Sequence, residues 1–207
     1  MINLSSIIDI LMVMAHPDDE IIFGWPILQN KSYKKALLVC STDRTNKERA
    51  WCSHRREILL ELCSEFNIRC YCLDNDSEFY RYETRSGTFS KTCAQITEKI
   101  ISINPGKIFT HNPMGEYGHL DHMLVHNLVL RAVSPETEIL ITDTFIPSNW
   151  TYQYRISDKQ KDIFYKNKLM SCVLEEDIYA HWKNKYEQAN CWTWSKPPIY
   201  NCSVYVI

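Results

Sequence analysis

Glycine is scarce in this chain. Five glycines occur in 207 residues, and none falls into G-x-G-x-x-G or P-loop spacing. The backbone cradle used for dinucleotides and nucleoside triphosphates is therefore missing. Cysteines are numerous, at 40, 52, 63, 70, 72, 93, 172, 191 and 202. No two have Cys-x-x-Cys spacing, which disfavours a zinc ribbon or a thioredoxin-type motif. Cys70 and Cys72 are expected to point to opposite faces of a strand, an arrangement that suits neither a disulfide nor a shared metal. The thiols read as reduced and mostly buried. An excess of one charge is missing too. With 23 basic and 25 acidic residues the net charge is −2, which gives no electrostatic case for binding nucleic acid or an anionic membrane. The apolar run near the N-terminus has no basic flank, is interrupted by Asp9, and is too short for a signal peptide or a membrane span. A cytoplasmic protein is expected. Repeats, low-complexity tracts and linkers are absent, so residues 1–207 are read as one domain, with 144–207 as an extension packing on the core. The composition is compatible with a homo-oligomer.

What the chain does contain is an alternation of apolar runs and helical periodicity. Short continuous runs at 9–15 and 35–42 predict buried strands; 68–73, of alternating type, 107–111 and 138–143 are further expected strands. Helical spacing predicts helices over 47–66, 91–103 and 119–133, and a shorter one over 19–30 that Pro26 limits or kinks. Residues 74–90, with Phe79, Tyr80, Tyr82 and Phe89, read as a long loop. In the last sixty residues the expectation is an amphipathic helix near 158–174 and edge strands near 199–206. Strand–helix alternation predicts an α/β fold: a Rossmann-like, mostly parallel sheet with helices on both faces. Ligands of such sheets bind beyond the carboxyl ends of the strands.

Two reactive clusters fall at those ends. The first, Ala15-His16-Pro17-Asp18-Asp19-Glu20, follows the first strand. The second, Gly118-His119-Leu120-Asp121-His122, follows the fourth. An imidazole and three carboxylates at the end of a buried strand are costly unless something positive sits among them, and a divalent cation answers that need. Catalytic zinc takes three protein ligands and keeps one open position. His16, Asp19 and His122 fit as ligands. Asp18 is then a spare carboxylate placed as general base. His119 is a spare imidazole placed, as imidazolium, to stabilise an oxyanion and protonate a leaving amine. Asp121 can hold one histidine in its working tautomer. His111 reads as a core or rim residue and His126 as packing or surface.

The residues of 15–20 together with 118–122 resemble the LmbE/PIG-L family of metal-dependent N-deacetylases, in order and topology over about residues 8–145. The resemblance implies a Rossmann-like fold and zinc on His16, Asp19 and His122. It also implies a base at Asp18, an electrophilic histidine at His119, and hydrolysis of the acetamide of an N-acetylated amino sugar or its conjugate. Fe2+, Co2+ or Mn2+ can replace zinc at such a donor set. Where the family has a glycine-rich stretch after the second strand, this chain reads Ser41-Thr42-Asp43-Arg44-Thr45-Asn46. Arg44, Arg55, Arg56, Glu116 and Tyr117 are the candidate substrate contacts. Two other readings fit parts of the pattern: an iron(II) oxygenase with a two-histidine, one-carboxylate centre, and a non-catalytic glycan-binding relative.

Overall fold

The computed structural model describes residues 8–43, 53–76, 88–146 and 163–207. Arg44, Phe79, Tyr80, Tyr82 and the first residues of the helix expected over 47–66 lie outside these. The strands are β1 (Ile10–Met14), β2 (Lys35–Val39), β3 (Arg69–Cys72), β4 (Lys107–Thr110), β5 (Glu138–Thr142), β6 (Asn167–Val173) and β7 (Asn201–Val206). The helices are α1 (Asp19–Ile22), α2 (Trp25–Leu28), α3 (Ser53–Glu65), α4 (Thr88–Ile103), α5 (Gly115–Gly118), α6 (Leu120–Ala132) and α7 (Glu176–Gln188).

One sheet holds the seven strands in the order β3-β2-β1-β4-β5-β7-β6. The first five are parallel; β7 runs antiparallel to β5, and β6 antiparallel to β7. The sheet is therefore mixed but mostly parallel. Every residue of β1 is fully buried, which is why its sequence is continuously apolar rather than alternating. Its side chains serve two cores by turns. Ile10, Met12 and Met14 pack with α1–α3 and with Tyr179, Trp182 and Tyr186 of α7. Leu11, Val13 and Ala15 pack with Ile96 and Ile100 of α4 and Val125 and Val129 of α6.

The helix expected over 19–30 is two short ones, broken at Phe23-Gly24. Gly24 is needed there, because a Cβ would lie 2.9 Å from the Glu20 carbonyl. Pro26 stands in the first turn of α2, where its missing N–H costs nothing. The helix expected over 158–174 is not what forms: residues 167–173 make β6, while 158–162 fall outside the described residues. Ladder pairing with β7, from Asn167↔Val206 to Val173↔Asn201, decides a segment whose local pattern is ambiguous. The strand expected near 199–206 does form, but inside the sheet; β6 is the edge. Cys70 and Cys72 share one face, as the two-residue period of a strand requires, with their Sγ atoms 3.6 Å apart. Among the described residues no helix is long and apolar enough to cross a membrane.

The order of formation matters for the site. From β1 the chain moves outward through β2 to β3, then returns to place β4 on the other side of β1. The crevice between β1 and β4 is thus the topological switch point, where open α/β sheets bind ligands. Both reactive clusters leave the sheet at that point.

Candidate functional site

The backbone beyond β1 is knotted by short-range polar bonds. The Ala15 N–H donates to His111 Nε2 across the switch point (3.0 Å). The His16 N–H donates to Asp19 Oδ2 (2.8 Å). Asp18 has φ 101°, a conformation that costs a non-glycine residue about 1–3 kcal/mol and persists only where its surroundings impose it. Here they do. Its N–H donates to Glu20 Oε2 (2.9 Å), and its carbonyl starts α1 by accepting from Ile21 and Ile22. Its Oδ2 accepts from Arg55 Nη2 (2.6 Å) and Thr193 Oγ1 (2.9 Å). Arg55 also donates to the Pro17 carbonyl.

Beyond β4, Asn112 folds the chain back. Its Oδ1 accepts from the N–H groups of Met114 (2.9 Å) and Glu116 (3.2 Å). Gly115 has φ +58°, and a Cβ there would sit 3.2 Å from the Cβ of His122, so the turn requires glycine. Glu116 follows at φ 55°. Its buried carboxylate accepts from His122 Nδ1 (2.7 Å) and His111 Nδ1 (3.0 Å) through Oε2, and from the Asn112 N–H (2.9 Å) through Oε1. Burial raises its pKa, but the two imidazoles prevail and bring it down to about 2.

These bonds decide which nitrogen of each imidazole is free. His111 accepts from Ala15 at Nε2 and donates to Glu116 at Nδ1, so both nitrogens are used in tying the two strand ends together. His119 caps α6, its Nδ1 accepting from the Asp121 N–H (3.2 Å). That leaves His119 Nε2 as the N–H. Burial and the neighbouring His122 and His16 hold its pKa well below the ordinary imidazole range. The cap bond and the lowered pKa favour a neutral His119 with its proton on Nε2, where the sequence suggested an imidazolium. His16 donates from Nε2 to Asp121 Oδ2 (2.9 Å) and turns Nδ1 to Asp19 Oδ2 (3.3 Å). His122 donates from Nδ1 to Glu116 and turns Nε2 to Asp19 Oδ1 at 3.4 Å. That buried Nε2 has no hydrogen-bond partner among the described residues.

His16, Asp19 and His122 turn donor atoms toward one another and could hold a metal. Two groups of three donor atoms, each within 4.8 Å of one another, overlap here: His16, His119 and His122, and Asp19, His111 and His122. His119 presents an N–H at Nε2 rather than a lone pair, and His111 Nε2, 3.4 Å from Asp19 Oδ2, also receives the Ala15 N–H. The field also suits a cation. Burial alone would depress His16, yet Asp121 and Asp19 raise it to about 10; the negative potential that holds a proton on Nδ1 favours a metal ion in its place. The His16 and His122 imidazoles are each held by a carboxylate at the other nitrogen, Asp121 and Glu116, an arrangement usual behind metal-bound histidine.

The other candidates are placed less uniformly. Tyr117 stands at the mouth of the crevice, its ring centroid 5.6 Å from that of His119. Glu116 lies behind the imidazoles rather than against the crevice, a correction to its reading as a substrate contact. Arg55 is buried against Asp18, which corrects its reading in the same way. Arg56 faces Asp74, with Nε 3.9 Å from Oδ1. His126 donates to the His111 carbonyl (2.8 Å). Several contributors went unforeseen. Thr193 reaches Asp18, Tyr186 donates to Glu20 Oε1 (2.9 Å), and the Trp194 ring stands 5.3 Å from Phe23 and 5.4 Å from Tyr117. Their only signal was the aromatic spacing of Tyr179, Trp182 and Tyr186, which marks the buried face of α7.

Comparison with known proteins bears on this geometry. Residues 11–133 match the family model "PIG-L: GlcNAc-PI de-N-acetylase". The chain belongs to that family. A PIG-L relative from Corynebacterium diphtheriae, 1D-myo-inositol 2-acetamido-2-deoxy-alpha-D-glucopyranoside deacetylase, is 29% identical over 182 residues, covering 67% of this chain and 61% of the relative. The chain therefore spans less than two thirds of that protein's length. Among solved structures, a deacetylase–teicoplanin complex from the teicoplanin biosynthesis pathway superposes with a TM-score of 0.57 at 10% identity, covering 95% of this chain and 96% of that one. The zinc-inhibited form of teicoplanin deacetylase Orf2 gives 0.52 at 10% identity, over 95% and 97%. At such identities the likeness establishes the fold.

Glu116 carries a prediction for any PIG-L chain with this arrangement. Glu116→Gln removes the charge that faces two imidazoles while keeping the side chain's shape. Metal affinity should fall about 10–100-fold, measured by competition with a chelating dye. Unchanged affinity would show that His122 needs no such orientation.

Proposed function

We propose that this chain is a zinc-dependent N-deacetylase that hydrolyses the acetamide of an N-acetylated amino sugar or its conjugate to the free amine and acetate. One arrangement supports the reading: His16 Nδ1 and His122 Nε2 both turn to the Asp19 carboxylate, with the Asp18 carboxylate and the His119 imidazole beside them. His16, Asp19 and His122 would hold the ion. Bound there, it supplies Lewis acidity toward water and the amide carbonyl.

The remaining steps belong to side chains. Arg55 and Thr193 both engage Asp18 Oδ2, which leaves Oδ1 for a water. Burial lifts the Asp18 pKa against the pull of Arg55, and the adjacent Asp19 adds to the rise. A raised carboxylate is a better match for proton abstraction near neutral pH. Asp18 takes a proton as the water oxygen bonds to the carbonyl carbon. It returns that proton to nitrogen as the C–N bond breaks. His119 Nε2–H is placed to donate to the carbonyl oxygen as charge accumulates on it. Tyr117 and Trp194, packed on the buried Phe23, offer partly exposed aromatic surface against which the apolar face of a sugar ring can pack. The donor set also accepts Fe2+, Co2+ or Mn2+, and a neighbour of the fold is known in a zinc-inhibited form, so the metal belongs in the test.

The experiment is acetate release from free N-acetylglucosamine, its inositol glycoside and an N-acetylated glycopeptide. The protein is stripped of metal and reloaded with each of the four ions. Acetate and amine should appear in equal amounts, disappear on chelation and return with metal. No release from any substrate with any ion would refute the reading; oxygen uptake with iron would point to the oxygenase instead.

A further inference from the structure

The carboxylate read above as the base is held from the far end of the chain. Asp18 is 2% exposed and its backbone is strained, so its carboxylate can stay aimed only if its surroundings fix it. Arg55 supplies one anchor through charge. The other is the Thr193 hydroxyl, 2.9 Å from the same oxygen and 175 residues away in sequence. Thr193 is itself exposed, with its hydroxyl turned inward at the mouth of the crevice. Two neighbours pin the segment that carries it. Cys191 is buried, its N–H bonded to the Tyr186 carbonyl (2.8 Å), and Trp194 stands against Phe23 and Tyr117. Tyr186 in turn bonds Glu20, whose other oxygen accepts the Asp18 N–H. One stretch, 186–194, thus supports both the backbone and the side chain of Asp18, and it lies outside the family match.

We propose that Thr193 is a positioning residue for Asp18: its hydroxyl and the Arg55 guanidinium fix Oδ2 from two directions, so that Oδ1 faces the reacting water. Arg55 alone leaves the carboxylate free to turn about its last torsion. The assignment rests on the reading of Asp18 as base.

Two measurements test it. In turnover, Thr193→Val keeps shape and loses the hydroxyl. It should lower kcat by about tenfold or more, with KM within about twofold, and Thr193→Ser should restore most of the loss. In crystals of wild type and Thr193→Val, the Asp18 carboxylate should turn away from its wild-type orientation. Undiminished kcat in Thr193→Val, a serine variant as slow as the valine, or superimposable Asp18 carboxylates would each overturn the proposal. Thermal unfolding of each variant checks that the fold is retained. The crystallographic readout needs no turnover, so an inactive wild type would refute the acetamide reading while positioning is still decided on its own.

Discussion

Asp18→Asn should lower acetate release by about 10²–10⁴-fold, the range for removing a positioned general base, while bound metal stays at its wild-type stoichiometry. Asparagine keeps the acceptor oxygen that Arg55 and Thr193 require, so the turn after β1 has no reason to rearrange. It removes only the capacity to take a proton. The separation of effects is the informative part. Among the described residues no hydrogen bond joins Asp18 to His122 or to the Asp19 carboxylate, and an amide in its place leaves those donors where they were. Parallel measurements of kcat and of metal per chain by elemental analysis check both halves. Turnover equal to wild type would remove Asp18 from the chemistry. Lost metal with lost turnover would make Asp18 a ligand instead.

His122→Ala should do the reverse, abolishing activity by emptying the centre. It deletes one of the three proposed ligands, and its effect should exceed that of an outer carboxylate: at least about 10²-fold in metal affinity. After dialysis against metal-free buffer the variant should hold far less than one ion per chain. The substitution also leaves Glu116 with one imidazole instead of two, so some loss of stability accompanies it. Circular dichroism separates an empty centre from an unfolded chain. A folded variant with unchanged zinc stoichiometry would exclude His122 as a ligand.

The strands nearest the site were legible because each is buried on both faces and writes itself as an apolar run. β1, β2, β4 and β5 are of that kind. The two motifs were legible because charged groups directly after such runs have few structural explanations. What escaped is what depends on distant pairing. β6 has an exposed edge and mixed side chains, and only its partner β7 makes it a strand. Tautomers escaped for a related reason. Spacing places His119 beside the centre, but the Asp121 amide that fixes it as a neutral donor is a property of the cap geometry. Glu116 was singled out as a pocket residue. Its inward turn, behind His111 and His122, depends on a left-handed backbone that the flanking glycines allow but do not announce.

The tether between α1 and α7 also has a temporal meaning. Strands β1 to β5 and both faces of helices can assemble from the first 142 residues, through connections that are mostly local. The bonds from Tyr186 to Glu20 and from Thr193 to Asp18 span 166 and 175 residues, and closures of that length are slow. A chain grown only to residue 185 lacks both bonds, so the support of the Asp18 side chain depends on the docking of segment 186–194.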